Sequence, residues 1–402
     1  MCFHILRGFA ILSKVIIVKI TGIIAEYNPF HAGHLRHMEL ARQKTNCDYV
    51  ICVMGGNLTQ RGEPAIMDKF ARIRCALLGG ADAVFELPAV YAARPANLFA
   101  RGGVDILNAL KADFICFGCE TDDPDALWHL ESLTAGSELS EAIRQGLSRG
   151  ESYPRALGEA LHAAGAAEAE IMHSPNALLA VEYLRELKRL ASPMQPVPIL
   201  RDVPYHCTES LFSASGVRAL LKENRFEEAV SLLPEAIRAE YRSQSGRLSL
   251  YPQQLDAFAL TRLRTMDPDA LCTPDAGEGL GRRIKNLAAA ASSLSEVCDA
   301  VKCKRYTRSR VCRAVADACV SLPAAPGSLP YLRLLGIRKQ AAPLLKELTD
   351  RAEKPLVTSA AALADDPVFR AECRVTDLWG FTTADPEYRR AGREFTQKFI
   401  TI

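Results

Sequence analysis

The sequence predicts an α/β chain: a doubly wound parallel sheet followed by an all-helical C-terminal domain. Three observations predict it. Short, fully apolar, β-branched runs alternate with helical stretches through the first half, as strands buried on both faces do. Polar clusters fall just after those runs, where ligands bind on such sheets. Beyond about Pro234 the text reads as helices only.

The elements follow in order. "VIIVKITGIIAEY" is the first strand, and the stretch from Ala32 to Lys44 the first helix. "YVICVMGG" is a second strand ending in glycines, "DKFARIRCALLGG" a helix and "ADAVFELP" a third strand. "PANLFARGGVDILNALK" is helical, and "ADFICFGCE" is a fourth strand. Ala-rich helices run from Pro124 to about Leu190. "QPVPILRDVPYH" is a fifth strand with its exit loop, and "SASGVRALLKENRFEEAVSLL" a pair of helices. Residues 15–225 are therefore assigned to a Rossmann-like domain and 226–402 to a helical one. Residues 1–14 are read as a disordered extension or the product of a mis-chosen start codon. Their apolar pieces are broken by Arg7 and Lys14, and no cleavage site follows.

Composition narrows the function classes. With 49% hydrophobic and 24% charged residues the chain is an ordinary globular one, and no run approaches the roughly 20 apolar residues of a membrane span. The net charge of +2 rules out a polycation, so any nucleic-acid surface must be local. Residues 279–314 offer one, with nine Lys/Arg against two acidic residues. Tyr306 interleaves there with Lys302, Lys304, Arg305, Arg308 and Arg310, a stacking aromatic among phosphate-binding cations. A merely solvated cationic face is the alternative. The thirteen cysteines are odd in number and scattered, which points to a reducing, cytoplasmic compartment. Cys116 and Cys119 make a CxxC without a second ligand pair, read as buried strand rather than metal or redox site.

The chemistry concentrates in "AEYNPFHAGHLRH", Ala25 to His37. His31 and His34 stand three apart at the mouth of the first helix, on one face. The helix start offers unpaired N–H groups and partial positive charge, a ready phosphate site. Imidazoles add donors for charge developing on a leaving phosphate, and Gly33 permits close approach to the backbone. This suits attack at the α-phosphate of a nucleotide with pyrophosphate leaving. Histidines serving only as a cap and a core residue are the alternative. Gly118 ends the fourth strand where a side chain would obstruct a purine or ribose. Asn176 opens a helix after Ser174-Pro175, where capping is its simpler use. Arg201 ends an apolar strand, where a cation wants an anion. "NLTQRGEPA" has lid length and would carry Gln60 and Arg61 over the substrate. Lys69 and Arg72 read as a solvated helix face.

"HAGH" resembles the HxGH signature of the nucleotidyltransferase superfamily. Longer strings resemble the tRNA(Met) cytidine acetate ligase family, in the same order: "TGIIAEYNPFHAGHLRH", "GGNLTQRGEPAI", "GADAVFELP", "FARGGVDIL", "SPNALLAVEYL", "SASGVRALL" and "KRYTRSRVCR". The resemblance implies a ligase that activates acetate with ATP as acetyl-adenylate. It implies transfer of the acetyl group to N4 of the wobble cytidine of elongator tRNA(Met), giving N4-acetylcytidine. It implies His31 and His34 as catalytic residues. ATP would be bound by Ile24, Ala25, Glu26, Tyr27, Asn28, Pro29, Phe30, His31, Ala32, Gly33, His34, Leu35, Arg36 and His37, with Gly118, Asn176 and Arg201. Ser213 to Arg218 resembles a second phosphate-side signature, with Gly216 replacing a larger residue; separately, Cys119 in "FGCE" stands where the family commonly has a small hydroxyl residue. No acidic pair for a metal is evident, so Mg²⁺ is expected to arrive on ATP. Two other functions fit parts of the sequence: a small-molecule adenylyltransferase, and a non-catalytic tRNA- or ribosome-binding protein.

Overall fold

The structure is a computed structural model that describes residues 18–151, 153–165, 169–201, 213–270, 277 and 279–402. The expectations for residues 1–14 and for "DVPYH" after Arg201 lie outside them. In the first half β1 (Ile20–Ala25), α1 (Ala32–Thr45), β2 (Tyr49–Gly55), α2 (Lys69–Leu78), β3 (Ala83–Leu87), α3 (Ala96–Ala109), β4 (Phe114–Cys119), α4 (Pro175–Arg189) and β5 (Gln195–Leu200) alternate as the sequence predicts. Val50, Cys52 and Met54 of β2 enter one apolar cluster while Ile51 and Val53 enter another. Both sheet faces are therefore covered, which is why the strands carry unbroken apolar runs.

The strand order is β5-β4-β1-β2-β3, all parallel. The chain winds outward through β2 and β3, then returns to place β4 on the other side of β1. The crevice beyond β1 and β4 is thus the topological switch point, where such sheets bind ligands. Cys116 and Cys119 lie in β4 but belong to clusters on opposite faces, so they cannot share a metal or a bond.

The C-terminal half contributes helices α5 (Ala214–Lys222), α6 (Leu294–Val301), α7 (Arg308–Val320) and α8 (Pro367–Gly380). The helices-only reading past Pro234 needs one correction. β6 (Leu332–Ile337) joins the sheet antiparallel to β3, flanked by the two-residue strands β7 (Leu356–Val357) and β8 (Ile400–Thr401). All six residues of β6 are buried, and so short an apolar run has no period that separates strand from helix.

A second correction concerns α2. Lys69 is 0% exposed and Arg72 1%, so neither belongs to a solvated face. Lys69 Nζ pairs with Glu86 of β3, with Glu372 of α8 at 3.0 Å, and with Glu394. Arg333 of β6 bridges Glu86 and Glu394 at 2.9 and 2.7 Å. Glu372 also accepts from the Ala89 amide at 2.8 Å. Three carboxylates against two cations leave one negative charge in excess, and burial pushes the Glu372 carboxyl up. Removing one partner of such a group strands the rest. Lys69→Met is expected to cost about 3–5 kcal/mol of stability, read as a lowered urea midpoint; a midpoint equal to the parent's would show these ion pairs to be dispensable.

Candidate active site

A cleft of about 1290 Å³ opens at the switch point. Its floor is the end of β1 and the start of α1. Its walls come from Gly118, α4, Arg201, the start of α5, loop 57–64, α6, α7 and α8. The volume exceeds the few hundred to 1,000 Å³ usual for one small ligand. The α7–α8 side is apolar, with Val315, Val320, Val375, Leu378 and Trp379.

The histidines build the start of α1. His31 is extended at φ −143°, and its Nδ1 accepts from the Gly33 amide at 3.0 Å. His34 Nδ1 accepts from the His31 amide at 3.2 Å. This is a reciprocal capping box made of two imidazoles. The rings stack 3.8 Å apart. Because each Nδ1 accepts, the neutral ring carries its proton on Nε2. Burial, then Arg201 and Arg218, pushes His31 down to about 4. Burial, then His31, His37 and Arg201, holds His34 well below the usual range. Both rings are therefore neutral Nε2–H donors near neutral pH. A Cβ on Gly33 would lie 2.8 Å from the His31 ring, so the glycine makes room for the cap.

The turn before them is held rigidly. Tyr27 takes a positive φ of 48°, uncommon for a bulky residue and typical of functional sites. Its ring is buried edge-on to His34 at 4.8 Å, and its hydroxyl meets Cys52 Sγ at 3.3 Å. Arg72 donates to the carbonyls of Glu26, Gly55, Gly56 and Met67, collecting the ends of β1 and β2. The Asn28 side chain accepts from the Ile66 amide at 2.7 Å, and its carbonyl from Arg218. Of residues 24–37, Ile24 to Asn28, His31, Gly33, His34, Arg36 and His37 line the cleft. Pro29 and Phe30 are buried beneath it; Ala32 and Leu35 also fall outside its lining. His37 is pushed down to about 4 by burial and Arg201, and its Nε2 is buried with no partner among the described residues.

Across the crevice, Gly118 lies under the Arg201 side chain, where a Cβ would sit 3.5 Å from Arg201 Cγ. Ser174, not Asn176, caps α4, accepting from the Asn176 amide at 3.1 Å. The Asn176 side chain is left to donate to Glu120 at 2.9 Å. Ser213 caps α5, accepting from the Gly216 amide at 3.1 Å, and Ser213, Ser215 and Arg218 line the cleft. A second helix start and two arginines thus face the first.

Loop 57–64 closes the cleft, and the basic segment holds the loop. Glu26 accepts from the Gln60 amide at 2.5 Å, and burial pushes its carboxyl up. Gln60 and Arg61 line the cleft. Gly62 has φ +75°, and a Cβ there would lie 2.4 Å from the Arg313 amide nitrogen of α7. Arg313 donates to the Gln60 carbonyl at 3.1 Å, and Arg308 pairs with Glu63 at 2.6 Å and Asp299 at 3.1 Å. Sequence reasoning missed this clamp, since nothing local links "QRGEP" to a segment some 250 residues away; the glycine was its one signal. Tyr306 also departs from expectation. It is 7% exposed, with the guanidinium groups of Arg305 and Arg310 at 5.8 and 5.4 Å from its ring, so it is not open for base stacking. Lys302, Lys304 and Arg305 are exposed on the connection between α6 and α7.

Among the described residues, one group of three carboxylates is close enough for a metal: Glu86, Glu372 and Glu394. Lys69 and Arg333 already fill it. In the cleft, Glu63 is paired with Arg308 and Asp256 accepts from the Leu294 amide. Each of these two carboxylates therefore already holds a protein partner. No helix among the described residues is long and apolar enough to cross a membrane.

Residues 18–394 match the family described as HIGH Nucleotidyl Transferase. A tRNA(Met) cytidine acetate ligase of Acetivibrio thermocellus is 32% identical, covering 96% of this chain and 100% of that protein. One of Fervidobacterium nodosum is likewise 32% identical, over 96% of this chain and 100% of its own length. Among solved structures, Thermotoga maritima TmcAL bound with alpha-thio ATP superposes with a TM-score of 0.85 at 28% identity, covering 96% of this chain and 100% of that one. Its apo form gives 0.86. By fold, switch-point histidines and full-length likeness, the chain belongs to the tRNA(Met) cytidine acetate ligase family and is a ligase.

Proposed function

We propose that the protein activates acetate with ATP as acetyl-adenylate and moves the acetyl group to N4 of the wobble cytidine of elongator tRNA(Met). The observation that carries the first step is the neutral His31–His34 pair at the start of α1, with Arg201 and Arg218 around it. The names of the relatives support acetate, cytidine and tRNA(Met). The ATP-analogue complex of the Thermotoga maritima protein supports a nucleotide in this cleft.

In this reading ATP lies with its triphosphate at the start of α1. Ile24 to Asn28 and Gly118 border the nucleoside, and Asn176 and Arg201 complete its cradle. An acetate oxygen attacks the α-phosphorus, and the bond to pyrophosphate breaks. The two Nε2–H groups donate to the oxygens that gain charge, already oriented by their Nδ1 caps. Magnesium is substrate-borne on the triphosphate. Cytidine N4 then attacks the acetyl carbonyl, the bond to AMP breaks, and N4 gives up a proton. The cytidine must leave its stack to reach the cleft. The size of the cleft and its apolar far wall suit an extruded base beside a nucleotide. Lys302, Lys304 and Arg305 contribute phosphate contacts, and residues 226–402 supply the tRNA-binding part.

His34→Asn keeps an acceptor for the His31 amide but removes the Nε2–H donor. Acetate-dependent ATP–pyrophosphate exchange is expected to fall about 10²–10³-fold with the circular-dichroism spectrum unchanged; parental exchange would sink the role. Reversing Lys302, Lys304 and Arg305 to Glu should weaken tRNA binding and flatten its salt dependence while sparing that exchange. Unchanged tRNA affinity would move the RNA surface elsewhere. Stability should also depend on pH. His31 and His37 titrate near 4 when folded and near 6.5 when unfolded, so the unfolded chain binds more protons between those values. Stability is full above about pH 6.5 and falls toward pH 4, by roughly 2 kcal/mol for each of the two histidines at about pH 5. His37→Gln should lessen that fall; equal urea midpoints at neutral pH and about pH 5 in the parent would contradict it.

A further inference from the structure

Helices α6 and α7 bring two cysteines together in the cleft wall. Cys298 on α6 and Cys312 on α7 hold their sulfurs 3.4 Å apart, in hydrogen-bond contact. They are 5% and 6% exposed, and both line the cleft. Arg308 Nη1 lies 3.6 Å from Cys312 Sγ. The Cys298 hydrogen bond and the Arg308 charge hold the Cys312 thiol below its ordinary range, while Cys298 is pushed up. Cys52, Cys116 and Cys319 are instead pushed up to about 12 by burial, as inert core thiols are. A packing cysteine needs neither a facing thiol nor a guanidinium.

We propose that Cys298 and Cys312 form a redox-active dithiol that a peroxide closes to a disulfide, loosening the loop over the cleft. The Cys312 thiolate attacks one oxygen of hydrogen peroxide, the O–O bond breaks, and hydroxide leaves behind a sulfenic acid. The Cys298 sulfur attacks that sulfur, the S–S bond forms, and the S–O bond breaks; the Cys298 proton departs in water. The two sulfurs are oxidised and the peroxide is reduced to water. Closure draws the sulfurs together by about 1.4 Å, and it removes the thiolate beside Arg308.

Both changes reach the nucleotide end of the cleft. Arg308 holds Glu63 of the loop. Gly62 rests on the Cys312–Arg313 peptide itself, where an added Cβ would lie 2.5 Å from the Cys312 carbonyl carbon. Two residues earlier, the Gln60 amide is bound by Glu26 at the end of β1. Packing this tight transmits a displacement rather than absorbing it. The consequence for binding rests on the cleft being the ATP site.

The test treats reduced full-length protein with graded hydrogen peroxide, then maps thiols by peptide mass and measures affinity for a non-hydrolysable ATP analogue. Expected is a Cys298–Cys312 cross-link that forms before exposed Cys303 reacts. Analogue affinity should weaken several-fold and return with dithiothreitol. Cys298→Ser and Cys298→Ala should form no cross-link and keep their analogue affinity under the same dose. Prior reaction at Cys303, a cross-link that leaves affinity unchanged, or equal peroxide sensitivity in both variants would overturn the proposal. A reduced parent that binds no analogue would instead overturn the nucleotide assignment, and the thiol map would still decide the dithiol.

Discussion

The buried ammonium of Lys69 is the interaction on which the rest of the molecule depends. It sits among Glu86, Glu372 and Glu394, which come from β3, α8 and the turn near the C-terminus. Leaving an ammonium unpaired in an apolar interior is very costly, so these elements must meet if the chain is to fold. The loop leaving β2 crosses this cluster so closely that a Cβ on Gly56 would lie 2.2 Å from Glu372. The Asn57 side chain accepts from the Lys69 amide at 2.7 Å, fixing the root of loop 57–64. One charged cluster thereby sets the edge of the sheet and the starting point of the loop over the cleft.

From that frame the site follows with few further parts. Arg72 gathers three carbonyls at the ends of β1 and β2 and that of Met67 before α2, and Arg218 takes a fifth from Asn28. The backbone is therefore fixed before a substrate enters, and the imidazoles spend their Nδ1 atoms on the helix cap. Pre-oriented neutral donors need little reorganisation when charge develops beside them.

Much of this was legible in the sequence. Parallel strands buried on both faces write themselves as β-branched runs, and the HAGH turn stands at the first strand end, so the sheet, its switch point and the histidines could be read directly. What resisted reading was long-range. Lys69 and Arg72 look like any cationic helix face because their carboxylates and carbonyls come from elsewhere in the chain. "LRLLGI" is too short to show a period, and it becomes a strand because β3 offers an unpaired edge. Tyr306 looked available for a base because sequence cannot show two arginines flanking its ring inside an apolar cluster. The turn from Tyr27 to Phe30 was recognised by likeness, and its physical role became plain only with Tyr27 packed under His34.

The antiparallel pairing of β6 with β3 has a consequence for biosynthesis. β3 ends at Leu87, whereas β6 is complete only at Ile337. At about 5–20 residues per second on the ribosome, the nascent chain carries an open strand edge, apolar but for Glu86, for roughly 10–50 seconds. Such edges recruit other strands. Until β6 arrives, the β3 edge is therefore open to pairing with a wrong strand.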